Sequence, residues 1–330
     1  MSIARYADTR RKPSNPRPSA GTRERRIMPT NIEWCQETWN PITGCTKISE
    51  GCRNCYAGRM AKRLAGRYGY PADEPFTPGN WRGSRINKKT GDMIISNPRY
   101  WKKPRKVFVC SMGDFFHETV TREMKDAVYR VVCSHPRHTF LFLTKRPENV
   151  MSWWLGNVPN VWLGVTAENQ EQADKRIPIL LSIPAAIRFV SIEPMLGPVH
   201  INYSKMFPTD VCFQKPPLLD WVIVGGESGP GARPMHPDWV RQVRDDCVNA
   251  GVPFFFKQWG GWAPVEYYDR DYYLISEGKH GTPLKPMIMA KRLFNGVDNG
   301  SSVFPVGKKR AGRMIDGRTW DGYPDPPKGE

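Results

Sequence analysis

The 330-residue sequence has no long hydrophobic run, no secretory signal and no dense set of cysteines. No apolar stretch approaches the roughly 18 to 20 residues that a membrane-spanning helix needs. The first 30 residues are rich in Arg and Pro and lack the apolar segment of a signal peptide. Eight cysteines in a chain of this length are too scattered for a disulfide framework. We therefore expect a cytoplasmic protein that does not enter a membrane.

Several catalytic signatures are also absent. The sequence has no P-loop, and VGGESGPG has the wrong spacing for the turn that carries the serine nucleophile of many hydrolases. It also has no repeat of 20–50 residues, which excludes a solenoid. Hydrophobic residues make up 39% of the chain and aromatic residues 12%, so a packed globular protein is expected.

The formal charge of +17 is large and unevenly distributed. Residues 1–30 contain 8 Lys/Arg against 2 Asp/Glu, together with many Pro and Ser, which predicts a flexible basic arm. A positive field attracts polyanions, so we expect contact with nucleic acid or a nucleotide. The alternative is a basic globular protein whose arm has no specific partner.

Six short apolar runs rich in Val, Ile and Phe recur along the chain, and each ends in polar residues. Helices are predicted at YAGRMAKRLAGRYG, ending at Gly69, at 121–135 and at 236–251, and a hairpin with a KTGD turn is predicted around WRGSRINKKTGDMIIS. Near-continuous apolar strands that alternate with helical segments are typical of a parallel sheet covered by helices. With a first strand before the cysteine cluster, we predict an α/β fold: a partial TIM-like (β/α) barrel of about six or seven parallel strands. A doubly wound open sheet is the competing architecture. The runs are VFVCSMGD (107–114), TFLFLTKR (139–146), VWLGVTAEN (161–169), IRFVSIEP (187–194), DWVIVGGESG (220–229) and VPFFFKQWG (252–260).

The polar residues at the strand ends predict one shared site, because barrel active sites lie at the carboxyl ends of the strands. Taken singly, each could cap a helix or lie on a surface loop, and for Asn169 a helix cap is favoured. The predicted domain organisation is a disordered basic arm (1–30), the partial barrel (31–262) and an extension packed on it (263–330), with a basic loop at 308–310.

Three cysteines crowd into eleven residues, as Cys45, Cys52 and Cys55. Thiolates are soft ligands that suit zinc or iron–sulfur clusters, and a two-residue gap lets two sulfurs approach one metal centre. Three ligands leave one iron of a [4Fe-4S] cluster open, whereas a structural zinc site or a closed cluster needs four. Cys35 is the candidate fourth ligand, and a redox-active thiol group is a further alternative. Single cysteines such as Cys110 are predicted to be buried hydrophobic residues, as are Cys133 and Cys247, each on a predicted helix face.

The span from about 31 to 322 resembles the phage-associated three-cysteine-motif proteins, which have radical S-adenosylmethionine-like character. This resemblance rests on several segments together: TWNPITGC, GCRNCYA, SMGDFFHE, FLTKRPE, VWLGVTAENQ, FVSIEPMLGP, DWVIVGGESGPGARPMHPDWV, PFFFKQWG and GKKRAGRMIDGRTWDG. It implies a partial barrel, a [4Fe-4S] cluster, S-adenosyl-L-methionine and an electron donor such as flavodoxin or ferredoxin. In two respects the cysteine motif departs from the common radical S-adenosylmethionine pattern. Six residues rather than three separate the first two cysteines, and Asn54 rather than an aromatic residue precedes Cys55.

Under this resemblance, Asp114 is expected to accept a hydrogen bond from the cofactor's methionine ammonium. Its ribose hydroxyls are expected to be hydrogen-bonded by Glu168 and Asn169, or by Glu193. Glycines near residue 225 are expected to allow close approach of an adenine or a phosphate. The predicted cofactor-binding residues are Met112, Gly113, Asp114, Glu168, Asn169, Glu193, Gly225, Gly226 and Glu227.

For a nucleic-acid or nucleotide substrate, Lys145, Arg146 and Lys257, together with Arg233, are the predicted phosphate contacts. Trp259 and Phe116 are candidates for base stacking, although aromatic residues at strand ends are more often core. The expected function is therefore a radical enzyme that modifies or repairs nucleic acid or a nucleotide. The rivals are a non-catalytic iron–sulfur or zinc protein that binds nucleic acid, and a radical enzyme acting on a peptide or metabolite.

Overall fold

Seven parallel strands form the main sheet of this protein. The computed structural model describes residues 30, 32–82, 85–86, 93–94, 101–151, 158–201, 219–264 and 303–325. The strands lie side by side in chain order, and the sheet curls into a half-barrel. The predicted partial barrel is therefore confirmed. The doubly wound alternative is wrong, because that architecture reverses its strand order at a switch point and this sheet does not. The strands are β1 (Glu37–Trp39), β6 (Lys106–Val109), β7 (Thr139–Thr144), β8 (Val161–Thr166), β9 (Ile187–Ile192), β10 (Trp221–Gly225) and β11 (Phe254–Gln258).

Three two-stranded antiparallel pairs accompany the main sheet. The first joins β2 (Ile42–Thr43) to β3 (Asn80–Trp81), and the second joins β4 (Arg85–Ile86) to β5 (Met93–Ile94). The second pair falls within the predicted hairpin, whose KTGD turn lies outside the described residues. The third joins β12 (Trp262–Pro264) to β13 (Val303–Pro305).

Helices follow most of the strands. Thr121, Asn169 and His236 cap the three longest at their N-termini through side-chain hydrogen bonds. The predicted helix at 236–251 is confirmed, with Pro237 as its first residue and Gly251 left-handed at φ +68° after its end. The helices are α1 (Tyr56–Arg63), α2 (Arg122–Cys133), α3 (Gln170–Leu181), α4 (Pro237–Ala250) and α5 (Lys308–Ala311).

Helix α1 is shorter than predicted. The sequence suggested that it would continue to Gly69, but it ends at Arg63. Gly66, Tyr68 and Gly69 all have positive φ angles, which a right-handed helix cannot accommodate. The glycine-containing segment therefore turns the chain away from the helix axis.

The two faces of the sheet bury different cores. On the outer face, aliphatic strand residues such as Val107 and Val165 pack with the buried sides of α2, α3 and α4. On the inner face, a mostly aromatic cluster fills the half-barrel around Trp34 and Trp221. Towards the carboxyl ends of the strands, the inner positions become small or polar, as at Gly164 and Ser191. Because side chains alternate along a strand, Gly164 and Ser191 lie on the same face as the aromatic cluster. We call the carboxyl end of the half-barrel its mouth.

Cysteines outside the cluster divide into buried and exposed positions. Cys110 and Cys247 are buried, as predicted. Cys133 is exposed, which is contrary to the expectation that it lies on a buried helix face. The buried side of α2 is formed instead by Ala127, Val128 and their neighbours. Cys212 lies outside the described residues.

The described part of the C-terminal extension lies against the last strand of the sheet. The amide of Phe256 donates to Trp320 O at 2.9 Å, and the indole Nε1 of Trp221 donates to Gly322 O at 2.7 Å. In the predicted basic loop, Lys308 pairs with Glu33 at 3.0 Å. Residues 1–29 and 265–302 lie outside the described residues. Nearly all of the predicted basic arm therefore lies outside them too.

Among the helices that the structure describes, none combines the length and the apolar character that crossing a membrane requires.

The inner face of the sheet can be tested at Gly164. A Cβ added there would lie 2.5 Å from the ring of Phe189, whereas one added at Gly58 in α1 would lie 3.6 Å from Phe76. We expect Gly164→Ala to lower the free energy of unfolding by about 1–3 kcal/mol through overpacking. Gly58→Ala should raise it by about 0.5–1 kcal/mol, because alanine restricts the unfolded chain and favours the helix. Urea denaturation measures both, and equal changes would contradict the packing described here.

Candidate metal centre

The three clustered cysteines lie on the loop between β2 and α1, at the mouth of the half-barrel. Gly44, which precedes Cys45, has φ +87°, and a Cβ there would lie 1.8 Å from Thr77 O. The amide of Gly44 donates to Met112 O at 2.9 Å, and this contact fixes the loop beside the end of β6. A 3-10 turn (Glu50–Cys52) follows, and Cys55 directly precedes α1.

Arg146 holds the start of this loop. It lies two residues after the end of β7 and is 1% exposed. Its guanidinium donates to Thr46 Oγ1 at 2.7 Å, to Asp114 Oδ2 at 3.3 Å and to Cys45 Sγ at 3.5 Å. Its Nε donates to Glu118 Oε1 at 3.0 Å. The residue directly after Cys45 is thus bound to a buried cation on the sheet.

Glu168 holds the middle of the loop. It lies two residues after the end of β8 and is fully buried. Its Oε1 accepts from the amide of Gly51 at 3.2 Å, and its Oε2 accepts from Lys145 Nζ and Arg176 Nη1, both at 3.0 Å. Burial alone would raise the pKa of this carboxyl, but the charge of Lys145 and a hydrogen bond from Ser49 lower it to about 2. An ionised carboxylate therefore binds the residue directly before Cys52.

Glu227 holds the end of the loop. It lies two residues after the end of β10 and is 6% exposed. Asn54 Nδ2 donates to Glu227 Oε2 at 3.0 Å, and Arg233 Nη2 donates to Glu227 Oε1 at 2.7 Å. Arg233 also pairs with Glu50 Oε1 at 3.1 Å. Burial opposes ionisation, yet the hydrogen bonds from Arg233 and Asn54 keep the pKa of Glu227 below its ordinary value.

These three strand-end residues act on the loop in the same way. Each lies two positions beyond its strand, and each contacts the immediate sequence neighbour of a different cysteine. Because β7, β8 and β10 belong to one rigid sheet, the backbone beside Cys45, Cys52 and Cys55 is fixed relative to that sheet.

The thiols themselves are free and differ in their acidity. Burial and the charge of Asp114 raise the pKa of Cys45 to about 12, against the opposing effect of Arg146. For Cys52, burial is outweighed by backbone hydrogen bonds and by the charge of Lys145, so its pKa is lowered. Cys45 and Cys55 are half-buried. Within the described residues, no three His, Cys, Asp or Glu side chains are close enough together to hold one metal ion.

Three free thiols on one anchored loop fit a thiolate-bound group chemically. Each thiolate ligand of a four-iron cluster binds a different iron, so that group needs three separated thiols rather than three in mutual contact.

Cys35 lies at the other end of β1 from Cys45. It is buried in the inner aromatic cluster beside Trp34, and burial raises the pKa of its thiol to about 12. The amide of the next residue, Gln36, donates to Lys106 O, at the amino end of β6. Along the chain, the three residues of β1 lie between Cys35 and the start of the three-cysteine loop. In space, the Cys35 thiol is near enough to Lys257 and Tyr56 to interact with them electrostatically.

Several of the predicted cofactor-binding residues make hydrogen bonds to other residues of the protein. Asp114 accepts hydrogen bonds from Thr144 Oγ1, Arg146 Nη1 and the amides of Phe116 and Lys145. Asn169 caps α3 by accepting from the amide of Gln172 at 3.1 Å, which is the role that the sequence favoured for it alone. Met112, Gly113, Gly225 and Gly226 also pack against other parts of the chain.

Met112 and Gly113 pack beside Gly44, where a Cβ on Gly113 would lie 2.8 Å from Gly44 O. Gly225 and Gly226 allow close approach of Glu193 and of Trp259 O, at 2.5 and 2.0 Å from their would-be Cβ atoms.

A smaller polar group remains on the inner wall of the mouth. Glu193 accepts from Ser191 Oγ at 3.2 Å and pairs with Lys257 at 3.1 Å, and both members of this pair retain some solvent exposure. Tyr56, at the start of α1, is half exposed, and desolvation raises the pKa of its phenol. Its hydroxyl donates to Ser111 O.

The predicted phosphate contacts are all paired with carboxylates. The pairs are Lys145 with Glu168, Arg146 with Asp114, Lys257 with Glu193 and Arg233 with Glu227. Each of the four predicted cations therefore has a carboxylate partner.

The two candidates for base stacking lie in the core, the position that the sequence favoured for aromatic residues at strand ends. Phe116 is fully buried against Phe115, with ring centroids 5.1 Å apart, and Trp259 is 2% exposed with its indole donating to Met314 O. His117 is also buried and bridges Thr46 Oγ1 and Thr119 Oγ1 at 2.9 and 3.0 Å.

Sequence reasoning missed Asn54, Ser49 and Arg176. Asn54 stood out only as a departure from the usual motif, and its contact with Glu227 spans 173 positions. No local pattern marks Arg176, which lies inside α3. The signal that was available is the position of Glu168 and Glu227, each following its apolar run at the same distance.

The fold and this loop define the chain as a half-barrel protein with a three-cysteine loop at the carboxyl end of its sheet. The sequence model of the family DUF5131, described as a protein of unknown function, matches residues 29–324. The chain therefore belongs to this family. No curated protein and no solved structure matches it.

Glu168 provides a test of the loop attachment. Glu168→Gln leaves Lys145 and Arg176 buried without a countercharge, so we expect the free energy of unfolding at pH 7 to fall by about 3–5 kcal/mol. Because the folded pKa of about 2 lies below the ordinary 4.5, the contribution of Glu168 is complete above pH 4.5 and is lost as the pH falls towards 2. The variant should therefore show a flatter dependence of stability on pH below 4.5.

The matched control is Glu171→Gln, which removes an exposed carboxylate from the first turn of α3. It should change the free energy of unfolding by less than about 1 kcal/mol. Urea denaturation from pH 3 to pH 7 measures both variants, and equal losses in the two would show that the buried contacts of Glu168 do not stabilise the loop.

Proposed function

We propose that this protein is a radical S-adenosylmethionine-type enzyme whose [4Fe-4S] cluster is bound by Cys45, Cys52 and Cys55. Its proposed substrate is nucleic acid or a nucleotide, and its proposed electron donor is a protein such as flavodoxin or ferredoxin. The proposal also places the protein in the cytoplasm.

One observation carries this proposal: the three-cysteine loop is fixed at the mouth of the half-barrel, beside each cysteine, by residues from three different strands. A loop that only closed a structural zinc site would need a fourth ligand. The remaining candidate, Cys35, lies at the opposite end of β1. Three anchored thiols at the carboxyl end of a parallel sheet fit a group that keeps one position open for a ligand from the mouth.

A [4Fe-4S] cluster with one open iron supplies the one-electron reductive cleavage of S-adenosyl-L-methionine to a 5′-deoxyadenosyl radical. The chain's own residues would position the reactants. Arg146 lies against Cys45 Sγ and stabilises negative charge on that sulfur. Glu193, Lys257 and Tyr56 line the mouth, where they can hydrogen-bond an amino acid or a ribose. The inner aromatic cluster closes the half-barrel beneath them and excludes water.

A second function is favoured by a specific observation. The acidic side chains Asp114, Glu168 and Glu227 direct most of their acceptor capacity at the chain itself. This pattern also suits an iron–sulfur or zinc protein that binds nucleic acid without catalysis, in which the same pairs serve stability alone.

Anaerobic purification separates the two functions. We expect a brown protein with about four irons per chain that forms 5′-deoxyadenosine from S-adenosyl-L-methionine under a strong reductant. Substitution to alanine at Cys45, Cys52 or Cys55 should abolish both the iron content and the cleavage, because each removes one thiolate ligand.

The control is Cys35→Ala, which should keep the iron and the cleavage. A colourless zinc protein that also needs Cys35 would rule out the radical enzyme. An iron-loaded protein that forms no 5′-deoxyadenosine would support the non-catalytic function.

The attachment of the loop predicts a separate effect at Asn54. Asn54→Ala removes the contact with Glu227 beside Cys55 but leaves the Glu227–Arg233 pair in place. Loss of such supporting contacts commonly weakens metal binding about 10- to 100-fold. Iron loss to a chelator, followed by absorbance, should therefore be faster in this variant.

The matched control is Asn160→Ala, a half-buried asparagine that donates to His138 O at 3.0 Å, at the amino end of the sheet and far from the loop. Its rate of iron loss should equal that of the parent protein. Equal rates for Asn54→Ala and the parent would contradict a supporting role for Glu227.

A further inference from the structure

Helix α1 lies across the mouth of the half-barrel, directly after Cys55. At its first residue, the Tyr56 hydroxyl donates to Ser111 O, in the segment after β6. One turn further on, the Arg59 guanidinium donates to Ser228 O and Pro230 O, in the segment after β10. Any large substrate that approaches the three-cysteine loop from this side must therefore pass over α1.

The outward side of α1 and its following turn combine positive charge with exposed apolar groups. Met60 and Arg63 follow the helical spacing i and i+3, so they share one side, while Ala57 and Ala61 are buried. Met60 is 41% exposed and Tyr68 75%. We use the name α1 rim for five exposed residues: Met60, Lys62, Arg63, Arg67 and Tyr68.

The charge of the α1 rim is not neutralised. Residues 56–68 contain four Lys/Arg and no Asp/Glu. Among the described residues, no carboxylate pairs with Lys62, Arg63 or Arg67, all of which are exposed. The cations inside the mouth differ in this respect, because Lys145, Arg146 and Lys257 each pair with a carboxylate. Unpaired positive charge near the three-cysteine loop therefore lies on the α1 rim and at Lys47 and Arg53 of the loop itself, and not at the strand ends.

We propose that the α1 rim binds single-stranded nucleic acid and guides it to the mouth. This inference rests on the proposed function and replaces its phosphate contacts with Lys62, Arg63 and Arg67. Surfaces that bind single strands combine cations that follow the backbone with aromatic rings on which bases stack. An unpaired strand suits the exposed Tyr68 ring, because bases in a duplex are already stacked on each other. The net charge of +17 adds long-range attraction for a polyanion.

The test compares two triple variants of the full chain that lose equal charge. In the rim variant, Lys62, Arg63 and Arg67 are changed to Gln. In the control variant, Lys102, Lys103 and Lys175 are changed to Gln; all three are exposed, the first two before β6 and the third on α3. Binding of a fluorescein-labelled 20-nucleotide single-stranded DNA of mixed sequence is followed by fluorescence anisotropy at several KCl concentrations.

The slope of log K against log salt should become less steep by about 2 in the rim variant, because each lost phosphate contact on a single strand contributes about 0.7. The control variant should keep the parent slope. Tyr68→Ala should weaken binding about 5-fold or more without changing the slope, since base stacking is not ionic. Tyr68→Phe should retain binding. A merely solvated helix face would show none of these differences.

Three results would overturn the inference. These are equal effects in the two triple variants, tighter binding of the same sequence as a duplex, and competition by poly-glutamate as strong as that by unlabelled oligonucleotide, which would indicate an acidic protein partner. Binding is measured without reductant or S-adenosyl-L-methionine. Rim-dependent binding by a protein that forms no 5′-deoxyadenosine would therefore count against the radical chemistry and support the α1 rim. Cleavage of S-adenosyl-L-methionine without rim-dependent binding would support the radical chemistry and count against the α1 rim.

Discussion

Buried carboxylate–cation pairs at the strand ends hold the mouth of this protein together. A buried carboxylate is costly unless it is paired and hydrogen-bonded, and Glu168 meets that requirement with two cations and the amide of Gly51. The loop and the sheet therefore depend on each other. Without the loop, the carboxylate would lose hydrogen bonds that offset its desolvation. Without the carboxylate, the loop would lose the contact that orders it.

The same pairs determine where free charge is found. The chain carries 49 Lys/Arg against 32 Asp/Glu, yet the strand-end cations beside the candidate metal centre are paired with carboxylates. A cation used to stabilise the fold offers little net attraction to a phosphate, because its field is largely cancelled by its partner. Exposed cations without a carboxylate partner are found instead on the α1 rim and on the three-cysteine loop, at Lys47 and Arg53. A polyanion would therefore meet unpaired positive charge on these surfaces rather than at the strand ends.

The strands and the shared mouth could be predicted from sequence, but the contacts between them could not. Apolar runs such as VFVC and TFLFLT predict a buried parallel sheet when helices separate them, although they left a half-barrel and a doubly wound sheet as alternatives. A pattern of polar residues after each run also places Glu168 and Glu227 at one end of the sheet. Their partners lie 117 and 173 positions away, at Gly51 and Asn54, and local spacing carries no information about such pairs. For the same reason Phe116 and Trp259 resembled binding residues, although tertiary packing buries both.

The six-residue gap between Cys45 and Cys52 is the feature that departs most from the common three-cysteine spacing. Each additional ordered residue costs about 1–2 kcal/mol of conformational entropy, so a longer gap should hold its thiols less firmly. Here, however, both ends of the gap are attached: Thr46 to Arg146 and Gly51 to Glu168. Between them, a hydrogen bond from Ser49 also reaches Glu168, and a 3-10 turn follows. These contacts with the sheet offset the entropy cost of the extra residues. The loop can therefore hold its thiols as firmly as a shorter and stiffer gap would.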